Sequence, residues 1–187
     1  MKVAFCKLRS DSPYSQSRFH DTPKLNKENP RDYEERTWRE KAWWDEKEEI
    51  FIPAMQFSNS IKEAAKYLGI QIEGKGKERY TKNFEAGLLV KDHLPLGIKK
   101  AEIKGEWVHV PSDGKRGGTK RVLKCFPLVF NWEGTVPYYI LDDTITKEVF
   151  EKVLKSTGAF IGLGRWRPRN CGLYGRFTLE AIKWEEQ

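Results

Sequence analysis

Two apolar stripes of helical period stand far apart in this chain, and most of the sequence around them reads as strand or loop. Ile61, Ala64, Ala65 and Leu68 recur at the spacing of one helix face, with Ser58 or Asn59 as the expected cap and Gly69 as the stop. Val149, Phe150, Val153 and Leu154 form the second stripe, over residues 146–155, with Asp143 or Thr144 expected to cap it and Gly158 to end it. Helices with one apolar face must bury it against another layer, and here the flanking strands are the available layer.

The opening residues 2–9 alternate, with Val3 and Phe5 (or Ala4 and Cys6) and Leu8 as the inward set. Residues 10–36 are rich in Ser, Asp, Pro and Asn and read as a long loop. Residues 37–44 and 48–53 read as the arms of a hairpin turning at 45–47 and stopped by Pro53, although the first arm also suits a helix. Residues 70–72 read as a short extension leading into a Gly-Lys turn, and 80–84 show no preference. Strands follow at 87–91, 105–110, 119–126, 134–141 and 176–184, and Pro137 predicts an edge position for the fourth of these. Helices embedded among antiparallel strands predict an α+β fold, and the 187 residues suit a single domain spanning 1–187.

Composition removes several classes. Aromatic residues make 13% of the chain, with seven Trp, too many for a disordered polymer. Every apolar run is too short to cross a bilayer, and Lys2, Lys7 and Arg9 interrupt the N-terminus where a signal peptide would need an apolar core. A soluble, cytoplasmic protein with no membrane partner is expected. Cys6, Cys125 and Cys171 are odd in number and widely spaced, so the reading is of reduced thiols rather than a disulfide frame or a zinc site.

The net charge of +7 is segregated. Residues 114–132 hold no carboxylate but contain Lys115, Arg116, Lys120, Arg121 and Lys124, and residues 152–179 again hold none. Residues 28–49, by contrast, carry nine acidic and five basic side chains. Separated base creates a field that an anionic polymer feels. The hairpin at 105–126 thus has a basic tip in PSDGKRGG, whose glycines permit unusual turns.

The densest segment is 158–177, GAFIGLGRWRPRNCGLYGRF. Glycines let a backbone approach a ligand, arginines offer planar forks to phosphates, and aromatic faces stack on splayed bases. Gly162, Gly164, Arg165, Trp166, Arg167, Arg169, Gly172, Tyr174, Gly175 and Arg176 are therefore the expected nucleic-acid contacts of this loop, with Lys115, Arg116, Lys120 and Arg121 adding contacts from the hairpin tip. The dinucleotide pattern GxGxxG fails because Arg167 stands at its third glycine, and no GxxxxGK[ST] loop occurs, so no cofactor is expected.

The second helix followed by IGLGRWRPRNCGLYGRF resembles the glycine-rich signature of the RAMP superfamily, the RRM-like (ferredoxin-like) proteins that form the crRNA-binding backbone and the processing enzymes of CRISPR effector complexes. EIFIPAMQFSNSIKEAAKYL resembles the family segment in which a strand ends in Ile-Pro before the first helix, and the basic hairpin at 105–126 sits where backbone members carry a protruding thumb. The resemblance touches the opening strand, residues 49–68 and residues 105–184. It implies an antiparallel sheet with two helices on one face and a glycine-rich loop that contacts RNA. Its implied partners are RNA or single-stranded DNA, further copies of the chain along the strand, and CRISPR effector subunits. A chain this compact would be a stand-alone relative from a phage or other mobile element.

Catalytic patterns are sparse. A metal-independent RNase of this superfamily would use a His as general acid and base, and His20, in the long loop, is the candidate by position ahead of His93 and His109. Asp142 and Asp143 adjoin a helix start, where capping explains them, and no metal site is expected. Binding without turnover is the leading expectation. An endoribonuclease of the same fold and an inhibitor that mimics or joins a CRISPR complex, engaging protein through the Trp-rich stretch 32–49, stand as alternatives.

Overall fold

A computed structural model describes residues 1–114 and 119–186. The fold is α+β, with antiparallel sheets and four α-helices among the described residues. β1 (Lys2–Ser10), β8 (Glu133–Ile140), β9 (Phe177–Glu186) and the two-residue β4 (Leu88–Leu89) form the main sheet, in the order β4-β8-β1-β9. Every neighbouring pair in it is antiparallel. A second sheet joins β2 (Tyr14–Ser15), β7 (Arg121–Val129) and β6 (Lys104–Pro111), and a third pairs β3 (Glu49–Ile52) with β5 (Leu94–Lys99).

The two periodic stripes become α2 (Ala54–Leu68) and α4 (Lys147–Ser156), which share one core with the main sheet. Ile61, Ala64, Phe150, Val153 and Leu154 are fully buried there beside Ala4, Cys6, Leu8, Tyr138 and Ile140. The Phe150 ring stands edge-on to Tyr138, with centroids 5.4 Å apart, and lies 5.7 Å from the Trp184 ring. Of the two inward sets for β1, the helix-facing one is therefore Ala4, Cys6 and Leu8. Val3 is buried outside that cluster, and Phe5 is only half-buried. Cys6 and Cys125 are buried thiols and Cys171 is an exposed one.

Several local expectations are corrected. The stretch 10–36 is not a plain loop. It contains β2 and ends in α1 (Pro30–Thr37), where the Asn29 side chain accepts from the Arg31 and Asp32 amides and Pro30 opens the first turn. The arm 37–44 is not a strand: α1 runs on into a 3-10 turn at Trp38–Lys41, and only Trp43 and Trp44 pair with the start of β3. α2 starts at Ala54 behind Pro53, a turn before Ser58 and Asn59, because Pro53 supplies an extended entry. It stops at Gly69 as expected, in the left-handed conformation.

Residues 81–87 form α3 (Thr81–Gly87), and the stretch around 70–72 contributes only a bridge between Gln71 and Arg79. α4 is capped by Thr146, whose hydroxyl accepts from the Val149 amide at 3.3 Å, rather than by Asp143 or Thr144. Asp142 instead accepts from Asn83 and from the Thr144 amide. Gly158 does not stop α4: the chain winds on as a π turn, Thr157–Ile161, and only glycine fits at 158, where a Cβ would collide with the Phe177 carbonyl oxygen. β8, with Pro137, is an inner strand, but β4 covers its outer side only at Tyr139 and Ile140.

Glu34, 1% exposed, joins the second sheet to the helical segment. Its carboxylate accepts from the Lys41 ammonium, from the Lys124 ammonium at 2.9 Å and from the Cys125 amide at 2.8 Å. Burial pushes its pKa up, but the three donors outweigh that and hold it below the usual carboxylate value.

Candidate nucleic-acid interface

The glycine-rich segment folds back on itself and onto the start of the chain. The Leu163 amide donates to the Gly175 carbonyl at 2.9 Å, and the Gly175 amide to the Pro13 carbonyl at 2.7 Å. The Arg165 amide donates to the Ser15 carbonyl at 2.8 Å. Gly164 holds φ +72°, and a Cβ there would lie 2.3 Å from the Ser15 oxygen, so only glycine allows this approach of loop to β2.

The loop forms one wall of a cleft of about 590 Å³. Residues 162–167 and Asn170 line that wall, and Ser17, Trp43, Gln56 and Asn59 line the other. The first turn of α2 and the glycine-rich loop therefore meet across one space, and none of the lining residues carries a carboxylate. Trp43 is half-buried against Phe51, with the Arg18 guanidinium 5.0 Å from its ring centre. Trp166 is 46% exposed in a left-handed backbone conformation, with Tyr174 edge-on to it at 5.7 Å.

The loop arginines have different environments. The Arg165 guanidinium lies over the Phe126 ring, 3.6 Å from its centre, and its Nη1 is buried with no acceptor among the described residues. Burial lowers its pKa, with Glu106 and Tyr174 pulling in the other direction. Arg167 and Arg169 share the Glu63 carboxylate of α2, at 2.8 and 3.0 Å. Arg176 donates to the Ala159 carbonyl and its amide to the Ser12 hydroxyl, so it ties the loop down instead of lining the cleft.

Gly172, Tyr174 and Gly175 also support the loop from outside the cleft. The Tyr174 hydroxyl donates to Glu106 at 2.6 Å, and burial together with that carboxylate raises its pKa to about 12. The absence of acid from this stretch of sequence is thus made good in space by Glu63 and Glu106.

The other expected contacts lie elsewhere. Lys120 and Arg121 sit at the far end of the β6–β7 hairpin, with Arg121 donating to the His109 carbonyl at 3.3 Å. Lys115 and Arg116 lie outside the described residues. His20 is not a cleft residue: its ring stacks on Tyr33 at 6.4 Å and its Nδ1 lies 3.1 Å from the Thr22 hydroxyl. Burial, with Lys41 nearby, lowers its pKa.

Ser17, Gln56 and Asn59 are not among the expected site residues, and Trp43 is expected only within the stretch 32–49 that would engage a protein partner. Trp43 carried a signal, because a Trp in a polar, charged stretch is a candidate binding face. Gln56 carried none, since an amide in a first helical turn looks like solvated surface.

No protein-family profile and no curated protein matches the chain. Among solved structures, it is similar to a chain of a type III-B Cmr-beta assembly bound to cognate target RNA, at 13% identity and a TM-score of 0.49. That alignment covers 98% of this chain and 60% of the other. It is also similar to a chain of a CRISPR RNA-guided surveillance complex, at 10% identity and a TM-score of 0.34, covering 84% of this chain and 58% of that one. This chain thus spans less than two thirds of the length of either neighbour. Among the described residues, no helix is long and apolar enough to cross a membrane.

Proposed function

We propose that the protein binds single-stranded nucleic acid, RNA or single-stranded DNA, in the cleft between the glycine-rich loop and the start of α2. The observation that carries the reading is this cleft's composition: two tryptophans, two arginines, side-chain amides and glycine backbone line it, and Glu63, which pairs with Arg167, does not. Aromatic faces take bases, guanidinium groups take phosphates, and glycine backbone admits both at close range. The reading is of a cytoplasmic RRM-like module of the RAMP type. What supports it is the strand order β4-β8-β1-β9 with α2 and α4 packed on one face, together with the glycine-rich segment after α4.

The cleft residues include no His, Asp, Glu, Lys or Cys, so the proposal is binding without turnover. The basic hairpin would add phosphate contacts that carry no sequence preference, and further copies or CRISPR effector subunits would join along the strand. Gel-shift titration with single-stranded RNA, single-stranded DNA and duplex tests the proposal. The single strands should bind, and replacing Arg165 and Arg167 together with Ala should weaken them by at least about tenfold, since a charge-assisted contact contributes about 1.5–3 kcal/mol. Unchanged affinity in that variant would refute the site.

A further inference from the structure

Gln56 is a cleft amide whose orientation is dictated from behind. Gln16 is 1% exposed and clamped by backbone at both ends of its amide. Its Oε1 accepts from the Trp43 amide at 2.7 Å, and its Nε2 donates to the Phe51 carbonyl at 2.8 Å. Exchanging the two atoms would set donor against donor and acceptor against acceptor, so Gln16 has one orientation. The same Nε2 lies 3.3 Å from the hydroxyl of the fully buried Tyr14. That oxygen accepts from Gln16, and its single proton is donated to Gln56 Oε1 at 2.8 Å. The relay runs from two backbone groups, through Gln16 and Tyr14, to Gln56. It turns the Gln56 oxygen toward Tyr14 and leaves its Nε2 without an acceptor among the described residues, on a side chain that lines the cleft.

We propose that this relay presets Gln56 as a donor, so that the cleft selects a base presenting a carbonyl oxygen and discriminates against adenine. A free glutamine amide reads adenine with both ends, its oxygen taking the N6 amine and its nitrogen the ring N7. With Oε1 turned onto Tyr14, the amide presents its donor end to the cleft, so an adenine amine brought to it meets a donor and only a ring nitrogen of adenine can accept. Uracil, cytosine and guanine each offer an exocyclic oxygen to the Nε2 donor. Trp43 and Trp166 supply planar faces on which any base can stack, so the amide decides the preference and the aromatic rings do not.

This inference rests on the single-strand reading, and the test separates the two. Fluorescence anisotropy would measure the affinities of oligo-uridine and oligo-adenosine of equal length for the wild type, Gln56→Met, Gln56→Glu and Tyr14→Phe. Comparing the uridine-to-adenosine ratio between proteins cancels the self-stacking of oligo-adenosine. The ratio should fall about three- to tenfold from wild type to Gln56→Met, the value of one neutral hydrogen bond. Gln56→Glu, which offers only acceptors, should shift the ratio further toward adenosine. Tyr14→Phe, with folding checked by circular dichroism, should lower the ratio while both strands still bind. An equal ratio in wild type and Gln56→Met would overturn the inference and leave the single-strand reading standing. No binding of either strand by the wild type would overturn both.

Discussion

Arg165 offers a direct way to separate a binding role from a structural one, because its environment predicts opposite effects on the two. In Arg165→Met the backbone amide that donates to Ser15 is kept, and the unbranched side chain can still lie on the Phe126 ring. The cation–π contact, about 0.5–2 kcal/mol, is lost, but a sulfur–aromatic contact of about 0.3–1.5 kcal/mol replaces part of it. The substitution also removes a buried, unpaired Nη1, and leaving such a group unmet costs about 1–3 kcal/mol. The balance favours the variant by about 1 kcal/mol, which for a domain of this size raises Tm by about 2–4 °C. Affinity for single strands should fall at least about tenfold at the same time. Thermal melting, urea titration and anisotropy on the same preparations read both effects. Destabilisation by more than about 1 kcal/mol with binding intact would make Arg165 a structural residue and refute the reasoning.

Two further predictions concern the frame that holds the cleft. Glu34→Ala leaves the Lys41 ammonium buried without its carboxylate and the Cys125 amide without an acceptor, so urea unfolding should report a loss of about 3–5 kcal/mol. Because the folded pKa of Glu34 is depressed, its stabilisation is fully present above the ordinary glutamate value of about 4.3. It is lost as pH falls through the lower folded value, so urea midpoints should drop in that acid window and much less so in Glu34→Ala. Gly158→Ala places a Cβ against the Phe177 carbonyl in the π turn and should cost about 1–3 kcal/mol or more, against a negligible change for alanine at the exposed Lys155.

The parts of the fold that announce themselves in sequence are those whose stability is local or periodic. α2 and α4 follow from apolar spacing, and the β6–β7 hairpin follows from two alternating runs around a glycine-rich tip. α1 was hidden because it has no apolar face: its buried members are Glu34 and Thr37, and a cation that neutralises Glu34 is as distant in the chain as Lys124. The loop arginines were legible as a cluster, but their division of labour was not. Glu63 meets Arg169 across 106 positions, a pairing no window of sequence contains. The opposite wall was half legible. The segment after Ile-Pro stood out, whereas Gln56 matters only through Tyr14 and Gln16, whose geometry exists only once β2 packs under the cleft.

The central claim is that a single strand lies between the glycine-rich loop and the start of α2. Photo-crosslinking of 4-thiouridine-substituted single-stranded RNA, followed by peptide mapping by mass spectrometry, tests it most directly. The account predicts adducts on the peptides carrying Trp166 and Trp43, lost when unmodified RNA competes. Adducts confined to other surfaces, such as the lysine-rich groove around Lys77 and Lys82, would contradict it.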